Sequence, residues 1–477
     1  MKMNSIRNII KVEWKNIMRT KTAMVLIGVF TVLLLFSAFI GVENTAEQNS
    51  IRETYQEQVH DDYVNQPDRN PHRVSHYGYL VFRERPALSF FEFGIESFAG
   101  NSIFLEAHRQ NTVNLSEAGF SNGMLRFGEL SMALILQLLV PLFIFFIGYG
   151  TLADLKANGV LKIMLAQGVS AKRLIWGKTL GIFSFTTVVF IGAMLLIFSI
   201  AFVAYPEALT TAVLLRSLFA MALYTVYFFI CSWITVLISA KSSRGGAALI
   251  SLILLWMLCG IILPKMAQNV GYALFPAPSK LEFETRITED LEQVGDSHDP
   301  NDLYYTGFRE KTLAEYGVDD VKDLPFNYAG HLMAEGERVT TELYRSHFDE
   351  LIATYTNQNS IAAYLSFINP YLMVRNLSMA ATGTDMAHYI DFQKQTEDYR
   401  YRQTQYFNEL HKNEVNAERS GTQRLNSARF NERAPFEYEN RGLFWALSNN
   451  VITLLALVFW LMLIGLSFSF GLKKIKL

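Results

Sequence analysis

Charge is in short supply. Asp, Glu, Lys and Arg make up 18% of the 477 residues, where a globular chain carries roughly 25%. With 51% hydrophobic residues and 36 Phe, that deficit excludes a disordered or nucleic-acid-coating protein. Cysteine is nearly absent. Cys231 and Cys259 both lie in apolar runs, so no disulfide framework braces the chain. The signatures of self-contained catalysis are also missing. A phosphate-binding loop needs Gly-x4-Gly-Lys-Ser/Thr, and Gly177-Lys178-Thr179 has Lys172 where the first Gly belongs. Neither a His-Glu-x-x-His pair, a nucleophile elbow nor a zinc-type cysteine pair occurs. The chain reads as a non-enzyme without a nucleotide site of its own.

What is abundant is apolar length. A helix needs about 20 mostly apolar residues to cross a bilayer. Six stretches meet or approach that: 23–42, 132–152, 182–204, 218–240, 247–263 and 451–470. The first is too long for a signal peptide, and Ser37-Ala38-Phe39 makes a poor cleavage site, so it reads as a retained anchor. The fifth is short and is expected to end where Pro264 and Lys265 leave the bilayer. These stretches predict an all-α polytopic membrane protein with six transmembrane helices.

Orientation follows from Lys and Arg in the short flanks. Residues 1–22, the 153–181 loop, the 241–246 turn and the 471–477 tail together carry 16 basic residues against Glu13 and Asp154. That face is expected to be cytoplasmic, with both termini inside. The opposite face carries a short loop, 205–217, and two long insertions. Residues 43–131 hold 7 Arg, no Lys and 13 acids, whereas 264–450 is strongly acidic. All nine histidines lie in these two insertions. Loops of such length normally carry structure. Apolar residues recur at mixed three- and four-residue spacings over 335–364 and 385–415, and 282–294 is a shorter acidic helix candidate. A mainly helical extracytoplasmic domain built from both insertions is expected.

No Asp, Glu or Lys occupies the central part of a span. Ion-coupled transporters usually need such a group, so any driving force must come from outside the chain. Arg216 precedes the apolar part of the fourth span and is expected to snorkel outward. His72 and His76, four apart, would share a helical face and form the candidate metal pair. Asn70-Pro71 before them argues against helical continuity and no third ligand is indicated, so solvated histidines without metal are the default.

The informative segment is the basic loop after the second span: Asp154, Gly159-Val160-Leu161, Leu165, Gly168-Val169-Ser170, Lys172-Arg173 and Gly177-Lys178. Leu155, Val160, Ile163 and Met164 would line one face of a short helix. Gly168-Val169-Ser170 reads as a break, with Ser170 capping the next helix. Two short helices with a break between them make a rigid knob able to dock into another protein's groove. In the preceding span, Pro141, Gly148 and Gly150 mark the likeliest bending element. Residues Ile6 to Met18 alternate basic side chains with Ile6, Ile9, Ile10, Trp14 and Ile17, as in an amphipathic interfacial helix.

These motifs resemble the ABC-2 type transporter permeases. That family shows Gly-Thr-Leu, a Pro-Val-Ser-Arg turn and Gly-Lys at the same spacings. Here Val160, Gly168 and Ala171 replace Thr, Pro and Arg, and a single Asp154 stands where the family has paired Glu. The resemblance implies that the loop is a coupling helix contacting an ATPase subunit, and that residues 1–22 form the family's elbow helix. A second set is Asn369-Pro370-Tyr371, Leu377-Ser378-Met379-Ala380, Gly383-Thr384-Asp385, His388, Phe392 and Glu397-Asp398-Tyr399-Arg400. It resembles a branch of these permeases with a large uncharacterised extracytoplasmic domain and, more distantly, permeases of nitrous-oxide-reductase copper maturation. Asn369-Pro370 would break a helix and Thr384 or Asp385 cap the next; these are structural roles.

The resemblance implies a permease subunit in a bacterial inner membrane, paired with an identical or related protomer and surrounded by lipid. Its cofactors, ATP and Mg, would sit on a separate ATPase, and no nucleic acid is involved. Two rivals remain: ATPase-coupled mechanical work without transport, and a membrane-anchored scaffold or receptor. A neighbouring gene for a Walker-motif protein would argue against the scaffold.

Overall fold

The computed structural model describes residues 2–112, 130–297, 299, 301–432 and 434–469. The stretch 113–129 of the first insertion and the basic 471–477 tail lie outside the described residues. Of the described residues, 77% are helical. Among the described residues, five helical segments are long and apolar enough to cross a membrane: Lys21–Val64, Met132–Ala157, Ala171–Ala204, Thr211–Lys241 and Gly245–Leu274. The sixth apolar stretch forms the shorter helix Val451–Ser469.

The chain opens with α1 (Lys2–Arg19), whose Ile6, Ile9, Ile10, Glu13, Trp14 and Ile17 recur at helical spacing toward the protein while Lys11, Lys15 and Arg19 face out. Thr20 adopts an extended conformation and turns the chain into α2 (Lys21–Val64). With 44 residues, α2 is about 66 Å long, roughly twice the hydrocarbon thickness. The anchor expected over 23–42 is therefore only its first half. Residues 43–64 contain neither Pro nor Gly, so nothing stops the helix at the membrane surface.

The second span begins at Met132, passes through a π turn at Ile135–Leu139, and continues as α4 (Val140–Gly148). Two short helices follow, α5 (Ala153–Ala157) and α6 (Val160–Ala166), then α7 (Ala171–Ala204) and α8 (Thr211–Lys241). The fifth span is α9 (Gly245–Met257), a second π turn at Leu258–Ile262, and α10 (Leu263–Leu274). The helix continues past Pro264, because the π turn precedes the proline and absorbs the missing backbone donor. The same device sits before Pro141 in the second span.

Side chains serve the carbonyls these prolines leave. Tyr227 Oη donates to the Gln137 carbonyl (2.9 Å), four residues before Pro141. Asn369 Nδ2 donates to the Cys259 carbonyl (2.9 Å), five residues before Pro264. Trp256 Nε1 of α9 donates to the Leu138 carbonyl (2.9 Å), tying the first π turn to the fifth span. In an apolar bundle each unserved carbonyl is costly, so the bends are supported on both sides.

The insertions add α3 (Pro71–Tyr77), an antiparallel ribbon of β1 (Tyr79–Phe82) and β2 (Ser102–Leu105), α11 (Lys280–Val294), α12 (Leu303–Tyr316), α13 (Tyr328–Leu365), α14 (Pro370–Thr382), α15 (Met386–Glu414) and α16 (Leu443–Ser448), and the sixth apolar stretch is α17 (Val451–Ser469). The helices expected over 282–294, 335–364 and 385–415 lie in α11, α13 and α15, and Asp385 caps α15 by accepting from the His388 amide. The core of the apolar bundle is not made by the spans alone. Leu88, Phe90 and Phe91 of the first insertion and Met373, Val374 and Leu377 of α14 are buried in it.

Candidate functional site

The basic loop folds as a compact knob. Gly159 (φ +73°) separates α5 from α6. Gly168 (φ +86°) ends α6, with its amide donating to Leu165 O and that of Val169 donating to Met164 O. This is the paired-bond helix stop that a left-handed glycine permits. Ser170 Oγ then accepts from the Arg173 amide (3.3 Å) and caps α7. Leu161 is buried and Leu155, Met164 and Leu165 pack against the core. Val160 and Ile163 do not share that face, contrary to the periodicity. The break at Gly159 rotates α6, leaving Val160 40% and Ile163 58% exposed, beside the exposed Lys162, Gln167 and Lys172.

The root of the knob is tied to two other spans. Ser239 Oγ of α8 accepts from the Leu152 and Ala153 amides (3.0 and 3.1 Å), serving the first orphan donors of α5. Asp154 Oδ1 accepts from the Gly245 amide (3.1 Å) at the start of α9. A Cβ at Gly150 or Gly245 would strike the Asp154 carboxylate. A Cβ at Gly148 would lie 2.6 Å from Thr235 Cγ2 and 2.8 Å from Ile182 Cδ1, so this glycine permits close helix packing, while the π turn lies at Pro141.

Gly177 and Lys178 face the elbow. A Cβ at Gly177 would lie 2.7 Å from Ile9 Cγ2, and one at Gly181 2.7 Å from Glu13 Cβ. Lys178 Nζ pairs with Glu13 Oε2 in a contact buried on both sides, and Thr151 Oγ1 donates to Glu13 Oε1 (2.7 Å). Trp14 Nε1 donates to Ser184 Oγ (2.9 Å). The lone acid of the N-terminal segment thus joins α1, the second span and α7. Its place on the inner face of α1 was the available signal, hidden by the basic residues around it.

At the other end of the bundle, Glu92 of the first insertion enters between helices. Gln137 Nε2 donates to its carboxylate (2.7 Å) and to Tyr224 Oη (2.9 Å), which meets Ser378 Oγ of α14 (3.0 Å). Burial raises the Glu92 pKa, and the Ser378 and Gln137 hydrogen bonds only partly oppose this. The spans lack a central carboxylate, and the insertion adds one at this end of the bundle. Arg216 does not snorkel to water. It is 8% exposed and donates to the Ala380 and Ala381 carbonyls (3.1 and 2.8 Å) and to Arg441 O. The end of α14, packed against α8, offers it the last carbonyls of the helix at a negative dipole end. His388 Nδ1 lies 2.6 Å from Asp385 Oδ1, and Asn450 Nδ2 donates to Asp385 Oδ2 (3.0 Å). Burial pushes the Asp385 pKa up, but His388 and Asn450 outweigh it and hold it below the usual range.

A third cluster lies in the insertions. Asn70 and Pro71 start α3 rather than interrupt it: Asn70 is the cap and Pro71 the first turn. His72 and His76 are therefore one turn apart, with Nε2 atoms 3.1 Å from each other. The turn after β2 brings His108 beside them, the ligand atoms of all three lying within 4.8 Å. Sequence spacing could not reveal His108, because pairing of β1 with β2 brings it there.

Residues 280–438 match the family model described as a domain of unknown function, DUF3526. The match spans α11 to α15 and is consistent with a permease-like membrane protein carrying that domain. No curated protein matches the chain.

Proposed function

We propose that this chain is the transmembrane permease subunit of an ABC transporter in a bacterial inner membrane. It moves its substrate with ATP and Mg bound on a separate ATPase subunit, and a second permease protomer completes the pore. The observation that carries this reading is the knob: a basic surface with Ile163 58% exposed, rooted on α8 through Ser239 and on α9 through the bond from the Gly245 amide to Asp154. A push on α5 and α6 is delivered to the ends of several spans at once. Ile163 is the apolar anchor that a groove on a partner would bury, and Lys162 and Lys172 are the charges around it.

Co-purification tests the reading. The wild-type chain should bring down a nucleotide-binding subunit, whereas Ile163→Asp and the pair Lys172→Glu, Arg173→Glu should weaken recovery at least about tenfold, as loss of a buried anchor does. Undiminished recovery removes the knob from the interface. A second reading, mechanical work on the outer domain without transport, is favoured by the unbroken α2 that runs past membrane thickness. Transport into vesicles by the reconstituted complex separates the two.

A further inference from the structure

We propose that His72, His76 and His108 form a binding site for one late first-row divalent cation, with zinc the ion that three imidazoles and one open position fit best. The site lies in the insertions, away from the knob, and does not depend on the transporter reading. Two nitrogens bound to one tetrahedral zinc at about 2.0–2.1 Å are roughly 3.3 Å apart. His72 and His76 place theirs at 3.1 Å. Two imidazole lone pairs do not face each other at that distance without a proton or a metal ion between them.

The third ligand is aimed by its surroundings. Among the described residues His108 is the one non-glycine with positive φ, +61°, a conformation that costs energy and is held by its contacts. The Ala107 amide donates to Ser75 O (3.1 Å), fastening the turn to α3. Glu337 Oε2 accepts from the His108 amide (2.8 Å) and lies 3.2 Å from its Nδ1. A proton on Nδ1 turns the Nε2 lone pair toward the other two rings. Glu337 is itself fully buried and held by Arg400 Nη1 (2.6 Å) and Thr341 Oγ1 (3.0 Å). A carboxylate that orients a ligating histidine from behind is the usual support of a metal site.

Charge points the same way. Within this hydrogen-bonded group, Glu337 and Glu397 share the single guanidinium of Arg400. A cation on His108 offsets the remaining carboxylate through the ring. His76 is exposed, which gives the ion a route in and leaves the fourth position to water or an incoming ligand. The ion would join α3, the turn after β2 and, through Glu337, α13.

The full chain in detergent, stripped with chelator, is titrated with zinc by calorimetry and melted with and without the ion. One zinc per chain and a zinc-dependent rise in Tm are expected. His76→Ala and His108→Ala should abolish both, and Glu337→Gln should weaken binding about ten- to a hundredfold. His60→Ala should bind as wild type. Because His76 is exposed, metal-free His76→Ala should melt with metal-free wild type, which separates lost binding from lost folding. Zinc binding undiminished in His76→Ala and His108→Ala, or a wild-type chain that takes up less than stoichiometric zinc, overturns the site and leaves a histidine pair sharing a proton.

Discussion

At the scale of single residues, the contact between Glu13 and Lys178 has the clearest energetic consequence. Both side chains are almost wholly buried, and each would be an uncompensated charge without the other. Removing one partner of such a pair costs about 3–5 kcal/mol, whereas replacing both by neutral groups of similar size is often nearly neutral. Glu13→Gln and Lys178→Met should therefore each lower the Tm in detergent and loosen α1, while the double variant recovers much of the loss. Equal, additive losses would show that the two charges act independently. The neighbouring glycines set the geometry. With Ile9 and Glu13 lying over Gly177 and Gly181, α1 can approach α7 only where side chains are missing. In the sequence, Gly177-Lys178 is visible as a motif and Glu13 as one acid among bases. Their pairing crosses 165 positions, and no local periodicity encodes that.

At the scale of elements, the two π turns explain how spans containing proline remain continuous. Tyr227 serves the carbonyl of Gln137, which Pro141 cannot serve. Tyr227→Phe should cost about 1–2 kcal/mol, the price of a buried acceptor left without its donor, read as a fall in Tm. Adding Pro141→Ala restores an amide in the helix, so Tyr227→Phe, Pro141→Ala should melt above Tyr227→Phe alone. A double variant that melts no higher would mean that the hydroxyl supports packing rather than that carbonyl. Pro141 could be read from the sequence as a bend, but the turn that accommodates it could not, because its supporting donors come from α8 and α9. Helix existence was legible wherever polar and apolar residues alternate at helical spacing, as in α11, α13 and α15. Helix ends were less so. Where residues 43–64 lack breakers, α2 ran on, and where a break was expected at Pro264 a π turn carried the fifth span through. In the knob, the sequence pattern located the break at Gly168 but missed the one at Gly159, and so put Val160 and Ile163 on the wrong side. A stripe of four apolar residues assumes one continuous helix, and Gly159 interrupts it.

At the scale of the molecule, the basic and acidic segments separate to opposite ends of the bundle. The knob and α1 carry Lys11, Lys15, Lys162 and Lys172 on exposed surface. At the other end, Glu92 and the α14 end meet Gln137, Tyr224 and Arg216. On the proposed reading, a bilayer around the apolar belt has the knob on one side and α11 to α15 on the other. The excess of Lys and Arg beside the knob predicts that this side faces the cytoplasm. Single cysteines test this directly, since the native Cys231 is buried and Cys259 half-buried and both can be replaced by Ser. In that background, Lys172→Cys should react with a membrane-impermeant maleimide only after the cells are opened, whereas Glu418→Cys, exposed beyond the end of α15, should react in intact cells. The reverse pattern would place the knob outside the cell, where no ATPase can reach it, and the transporter reading would fail with it. The histidine cluster would then face the cytoplasm, and because its geometry lies wholly within the insertions, zinc binding by the purified chain would be unchanged.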